Sequence, residues 1–171
     1  MPEKVVITGA AGFVGSQLGY ELSQEGYDVL LIDDMSFGYE HNLTVNGKRF
    51  GTLVKADIVS DKLEPLFDGA YCVFHLAGIS AVPVCQSEPG RAITVNVAGT
   101  AHVLEAARRV GVRRLVFAST SAIYENNTKF PCEEDDDVNP TLIYPISKLS
   151  AEKLCRAYIE LYGMDIAITR Y

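Results

Sequence analysis

Apolar positions along the chain cluster into short runs separated by longer stretches of mixed character. Val5-Val6-Ile7 and Val29-Leu30-Leu31-Ile32 are continuous and rich in β-branched residues. Runs of that length and kind read as parallel strands covered on both faces. Similar runs predict strands near residues 4–8, 28–32, 52–56, 71–75, 113–118 and 165–169. Between them, Gln17 to Gln24 reads as the body of a helix. Arg91 to Val110 reads as another, stopped by Gly111. Asp34 to Asn46 is polar, contains Gly38, and reads as a loop. Strands alternating with helices predict an α/β fold with a parallel sheet and right-handed crossovers.

The turn after the first run carries the chemistry that organises the rest. Gly9, Gly12 and Gly15 follow Val5-Val6-Ile7 at a spacing of three. Gly9 suits a tight turn, Gly12 lets a pyrophosphate approach the backbone, and Gly15 lets the next helix pack on the strand. The helix N-terminus adds free N–H groups and a positive dipole. Asp33 ends the second run, where a carboxylate can accept from both ribose hydroxyls of an adenosine. It would repel a 2′-phosphate, so NAD is expected over NADP. The expected fold is a Rossmann-type doubly wound parallel sheet, three layers α/β/α, with strand order 3-2-1-4-5-6 and the cofactor at the switch point.

With 171 residues the chain fits one domain able to bury a proper core. A net charge of −7 does not suggest a nucleic-acid partner or an anionic membrane surface. No apolar stretch is long enough to span a membrane and no signal peptide is legible, so a cytoplasmic location is expected. Cys72, Cys85, Cys132 and Cys155 are scattered and read as reduced structural thiols. The histidines lack metal-ligand spacing, so no metal site is expected. Glu133 to Asp137 is an acidic run that reads as a solvated loop.

Two further segments suggest catalysis. Leu115 to Ser121 (LVFASTS) is a strand that ends in hydroxyls. Tyr144 and Lys148 are spaced to share a helix face. An ammonium beside a phenol stabilises phenolate, so Tyr144 can act as a general base. A strand-end hydroxyl can hold the substrate oxygen.

These residues bring the chain to a family. It resembles the extended short-chain dehydrogenase/reductases, in particular nucleotide-sugar epimerases of the UDP-glucose 4-epimerase type. The resemblance runs through Gly9/Gly12/Gly15, Asp33-Asp34-Met35-Ser36 with Gly38 and Asn42-Leu43, and Asp57-Ile58. It continues through His75-Leu76-Ala77-Gly78, Asn96 to Thr100, Ser119-Thr120-Ser121 and Tyr144 to Lys148. It implies that Gly9, Gly12, Phe13, Val14 and Gly15 surround the pyrophosphate of NAD. Asp33, with Asp34, Ser36 and Gly38, would hold the adenosine ribose. Asp57 and Ile58 would border the adenine, and Leu76, Ala77 and Gly78 would line the cofactor. Asn96 would stabilise a helix kink and the backbone near the cofactor. Thr120, Tyr144 and Lys148 would be catalytic, Tyr144 as base and Lys148 also on the nicotinamide ribose.

The resemblance has departures. Glu125 stands where the family's V-Y-G has glycine, and Gly78 where alanine is usual. Ser121-Ala122 occupy the place where 4,6-dehydratases and nucleotide-sugar decarboxylases carry an acidic residue, which disfavours those reactions. The chain stops at Tyr171, so residues 1–171 are expected to be the cofactor domain without the C-terminal domain that grips a nucleotide-sugar. The last strand is then an open edge, with Ile166 and Ile168 losing cover. The expected function is the NAD-binding catalytic domain of a nucleotide-sugar epimerase. A keto-sugar reductase and a non-catalytic NAD-binding module are the alternatives. A homodimer is implied, formed by the helices near Arg91 and Tyr144, with Val95, Val103, Leu149, Leu154 and Tyr158 offering apolar faces.

Overall fold

The structure is a computed structural model that describes residues 2–171. β1 (Lys4–Thr8) leads through the glycine turn into α1 (Phe13–Gln24) and β2 (Asp28–Asp33). A 3₁₀ turn at Glu40–Leu43 and a hairpin of β3 (Thr44–Val45) and β4 (Lys48–Arg49) precede β5 (Thr52–Lys55). Next come α2 (Glu64–Phe67), β6 (Ala70–His75), α3 (Val82–Ser87) and α4 (Pro89–Ile93). A π-helical segment, Thr94–Gly99, runs into α5 (Thr100–Val110), followed by β7 (Arg114–Ser119). A 3₁₀ turn at Ser121–Tyr124, α6 (Ile143–Tyr162) and β8 (Ile166–Arg170) complete the chain.

Six strands form one parallel sheet in the order β5-β2-β1-β6-β7-β8. This is the expected 3-2-1-4-5-6 once the small hairpin is set aside. Alternation along β1 builds the two faces. Val6 joins Val73, Leu104 and Phe117 in the larger core under α2, α5 and α6. Val5 and Ile7 join Leu31 and Cys72 in the core under α1. Both faces are covered, so the strands need no polar alternation, which is why the runs were legible. β8 is the edge strand, and its Ile166 and Ile168 remain partly buried against the larger core.

Three expectations are corrected. The polar stretch 34–46 is not all loop: it holds the 3₁₀ turn and starts the hairpin. Their hydrogen bonds are local, and they leave little apolar trace beyond Leu43, which is buried. The helix from Arg91 to Val110 begins at Pro89 and widens into the π segment before α5, and it does stop at Gly111 in the left-handed conformation. Val103 is not on an outer face. It is fully buried in the larger core, and Leu154 and Tyr158 pack against the same core. The helical stripe that suggested a partner surface serves mainly the chain's own sheet.

Three of the four thiols fit their structural reading, whereas Cys132 is partly exposed. Cys72, Cys85 and Cys155 are free and buried, and burial pushes Cys72 up to about 11 and Cys155 to about 12. Their thiolates are therefore scarce at neutral pH. His75 is also structural. Its ring lies between the hydroxyls of Thr8 (2.8 Å) and Thr100 (2.9 Å), tying β1, β6 and α5 together. Burial, with the charge of Lys148, lowers it to about 3, so it stays neutral.

The tightest backbone approach is where α1 meets the end of β1. A Cβ on Gly15 would lie 2.3 Å from the Gly9 carbonyl oxygen. Gly90, in α4, has nothing within 4 Å of the same position. We expect Gly15→Ala to destabilise the chain by about 1–3 kcal/mol through overpacking. Gly90→Ala should be neutral or gain about 0.4–1 kcal/mol. Urea unfolding midpoints of the two variants check the contrast; equal midpoints would refute the steric reading.

Candidate active site

The carboxyl ends of the strands open into one cleft of about 770 Å³. Its floor is the glycine turn. Gly9 has φ +70°, and a Cβ there would strike the Ala77 backbone at 2.6 Å, so glycine is required on both counts. A Cβ on Gly12 would meet only the Gly9 oxygen, at 3.3 Å, so that backbone lies open to the cleft. Gly12 is also the residue before α1, whose first N–H groups therefore face the same space. This is a cradle that a side chain would fill and a phosphate would fit.

Asp33 sits at the end of β2, nearly buried. One carboxylate oxygen accepts from the Ala11 N–H (2.9 Å) and the other from the Met35 N–H (2.8 Å). These bonds hold the carboxylate against the glycine turn, and each oxygen retains acceptor capacity toward the cleft. Asp34 accepts from the Ser36 N–H and hydroxyl, shaping the loop that brings Ser36 and Gly38 to the lining. Asp57 and Ile58 line the cleft beyond β5, and Leu76, Ala77 and Gly78 beyond β6.

At the other end stand Thr120, Tyr144 and Lys148. Thr120 follows β7, and its Oγ1 accepts from the Ala122 N–H at 3.1 Å, which leaves its own proton free to donate. Tyr144 and Lys148 lie on the first turns of α6. Lys148 is only 5% exposed, and its ammonium lies 4.5 Å from the centre of the Phe117 ring. Among the described residues no oxygen accepts a hydrogen bond from it. Burial lowers its pKa to about 8, partly offset by the Glu152 carboxylate. A lysine with a buried stem whose ammonium opens on a polar cleft, with no protein acceptor, fits a ligand that brings oxygens.

Every residue expected at the site lines the cleft except Asn96, whose side chain turns away from it. Its amide accepts from the Ile79 N–H (2.8 Å), donates to the Ile79 oxygen (3.0 Å), and donates to Ser147 Oγ (2.9 Å). It therefore holds the π segment to the chain beyond β6 and to α6. The extra residue per turn of a π segment presents Thr94 and Val95 to the cleft while Asn96 points inward.

Other contributors were not anticipated. Phe37, Ser80 and Arg91 also line the cleft. Glu152, fully buried, lies two turns beyond Tyr144 on α6. It accepts from the Ser119 hydroxyl and from Arg170 (2.9 and 3.1 Å). Burial pushes its carboxyl up, but those hydrogen bonds and the Arg170 charge outweigh it and hold the group below its usual range. Glu125, in place of a glycine, accepts from the N–H groups of Thr141 and Leu142 and from the Thr141 hydroxyl. It thereby fixes the entry to the helix that carries Tyr144. The spacing of Tyr144, Lys148 and Glu152 could have revealed the stripe, whereas nothing local marks the partners of Glu125.

Comparison with known proteins agrees with this geometry. Residues 5–171 match the NAD dependent epimerase/dehydratase family. A UDP-glucose 4-epimerase of Mycolicibacterium smegmatis is 38% identical over 167 residues, covering 95% of this chain and 53% of the relative. UDP-glucuronic acid decarboxylase 1 of Danio rerio is 32% identical, covering 98% of this chain and 40% of its own length. Among solved structures, the UDP-N-acetylglucosamine 4-epimerase of Methanobrevibacter ruminantium, in complex with UDP-N-acetylmuramic acid, superposes with a TM-score of 0.94. It is 31% identical and covers 100% of this chain and 55% of that one. The UDP-glucose 4-epimerase of Brucella ovis, in complex with NAD, gives 0.92 at 28% identity, covering 99% and 51%. The chain spans about half the length of the curated relatives it matches. With the match extending over nearly all of the sequence, the chain belongs to the NAD dependent epimerase/dehydratase family.

Proposed function

We propose that this chain is the cofactor-binding, proton-transferring part of a nucleotide-sugar epimerase that uses NAD. The observation that carries the reading is one cleft holding the open glycine cradle and Asp33 at one end and Thr120, Tyr144 and Lys148 at the other. Gly9 to Gly15 would hold the pyrophosphate and Asp33 the adenosine ribose, with Asp57 and Ile58 beside the adenine. A bound nicotinamide supplies a reversible hydride acceptor for a sugar carbon. Tyr144 takes the proton of the sugar hydroxyl and returns it, so the sugar passes through a keto form. Thr120 donates to the same oxygen. Lys148, fixed over Phe117, stabilises the phenolate and donates to the ribose.

Epimerisation is favoured over elimination and decarboxylation by the charge of the cleft. Its carboxylates, Asp33, Asp34 and Asp57, all lie at the adenosine end. Among the described residues no carboxylate side chain lines it beside Thr120, and nearby Glu125 is occupied by the backbone before α6. The test is to join this chain to the C-terminal part of an epimerase relative and assay interconversion of UDP-sugars. We expect turnover, its loss in Tyr144→Phe by at least about 100-fold, and nearly unchanged NAD binding. Full turnover in Tyr144→Phe would remove the assigned base.

The state of Lys148 gives a test that needs no turnover. In the free chain its pKa of about 8 lies below the ordinary lysine value of 10.5. The folded state then binds fewer protons than the unfolded one between those values, so stability rises with pH across that window. Ribose oxygens that accept from the ammonium favour its charged form and raise its pKa on binding. NAD binding should therefore take up a proton near pH 8–9, with affinity falling as pH rises. Calorimetry in two buffers of different ionisation enthalpy measures the uptake, which should vanish in Lys148→Met. Binding without proton uptake by the wild type would contradict the contact.

A homodimer is part of the same proposal. With Val103, Leu154 and Tyr158 turned to the core, what supports it is the outer face with exposed Ala98 and His102 and half-buried Leu149. Small and apolar residues there permit close helix approach. Sedimentation equilibrium at micromolar concentration should give twice the monomer mass; a monomer rejects it.

A further inference from the structure

The cleft has a cation that the roles above leave unused. A dinucleotide pyrophosphate brings two negative charges into a cleft that already holds Asp33, Asp34 and Asp57, in a chain of net charge −7. Two cationic side chains line it among the described residues, Lys148 and Arg91. Lys148 is committed to the far end, over Phe117 and beside Tyr144. Arg91 lies on α4, which follows β6. Its guanidinium stacks over the ring of Phe37, 5.4 Å from the centre. Phe37 belongs to the loop that follows β2.

The sheet order gives that contact its meaning. β1 lies between β2 and β6, and the glycine turn rises from its carboxyl end. A contact from the segment after β6 to the loop after β2 therefore passes over the column of the glycine turn. Among the described residues Arg91 makes one ion pair, to Glu88 at 3.2 Å, and its side chain is 46% exposed, which leaves most of its N–H donors available there. Phe37 is itself exposed by about half. An aromatic ring in that position holds a planar cation by its face and leaves the donor edge open.

We infer that Arg91, seated on Phe37, is a strap across the mouth of the cleft that binds the cofactor's pyrophosphate from the side facing the glycine turn. The inference rests on the NAD reading above. The backbone N–H groups of the turn and α1 would neutralise one side of the pyrophosphate and the guanidinium the other. The strap acts on retention as well as affinity, because the pyrophosphate cannot leave without parting Arg91 from Phe37.

The test uses the 171-residue chain, with NAD, ADP-ribose and adenosine as probes. Arg91→Ala, an exposed change, should lower affinity for NAD and ADP-ribose about tenfold at low salt and flatten its salt dependence. Adenosine, which has no phosphate, should bind both forms equally. Arg91→Lys should recover part of the affinity, since it keeps charge but not the planar fork. Phe37→Leu should raise the NAD dissociation rate several-fold in stopped-flow displacement. If the wild type binds NAD and Arg91→Ala binds it equally at every salt concentration, the strap is wrong and the cofactor reading stands. If adenosine loses as much as NAD, Arg91 acts on the fold and the strap is wrong. If the wild type binds neither NAD nor ADP-ribose, the cofactor reading itself falls, and the strap with it.

Discussion

The site depends on one buried amide. Asn96 makes three hydrogen bonds with its side chain, to both backbone groups of Ile79 and to Ser147. Ile79 belongs to the chain just beyond β6, and Ser147 sits between Tyr144 and Lys148 on α6. The amide therefore sets where the candidate base and its lysine stand relative to the strand ends that line the cofactor cleft. The backbone around it is adapted to this duty. The π segment carries Val95 on the cleft wall and Asn96 in the interior. Space matters as well. A Cβ on Gly78 would lie 3.0 Å from Asn96 Oδ1, so the missing methyl leaves the amide uncrowded.

Much of this arrangement was legible from the residues, for a physical reason. Strands buried on both faces must be apolar throughout, so Val5 to Ile7 and Val29 to Ile32 announce themselves. The glycine turn is legible because backbone contact at Gly9 and Gly15 leaves no room for a side chain. Tyr144 and Lys148 are legible from their helical spacing. What was hidden depends on contacts distant in sequence. Val103 lies in an amphipathic stretch whose apolar stripe could face a sheet or a partner, and periodicity does not say which. Glu125 finds its partners sixteen and seventeen residues away, at Thr141 and Leu142. Arg91 and Phe37 are ordinary surface residues until the sheet order brings them together.

Lys148 shows what a site of this kind costs its fold. Its side chain is almost wholly buried, and its ammonium sits against an aromatic face at the wall of the cleft, with no oxygen acceptor among the described residues. Burial without a partner disfavours the charge, and the lowered pKa records that penalty. A methionine there would fill the same space without it. The structure tolerates the lysine because the surrounding core is large and because the cost falls at one atom. Local destabilisation at a position poised for ligand is expected where binding, not folding, completes the polar contacts.

The same helix shows how the penalty is kept from spreading. Tyr144, Lys148 and Glu152 repeat every four residues along one face of α6, yet their polar groups are treated differently. Glu152 is as buried as Lys148, but it is satisfied by Ser119 and by the double hydrogen bond from Arg170. Arg170 in turn stacks on Tyr124 and donates to its hydroxyl and to the Glu134 oxygen. The carboxylate thus joins α6 to the end of β7, next to Thr120, and to β8. Its charge also favours the ammonium of Lys148 one turn away. A fully paired anion thus anchors the helix that carries the unpaired cation on the same face. The candidate base lies one turn before that cation, at the open end, where substrate can reach it. The order along the helix, from anchored and dry to exposed and reactive, is what allows one rigid element to carry both structure and chemistry.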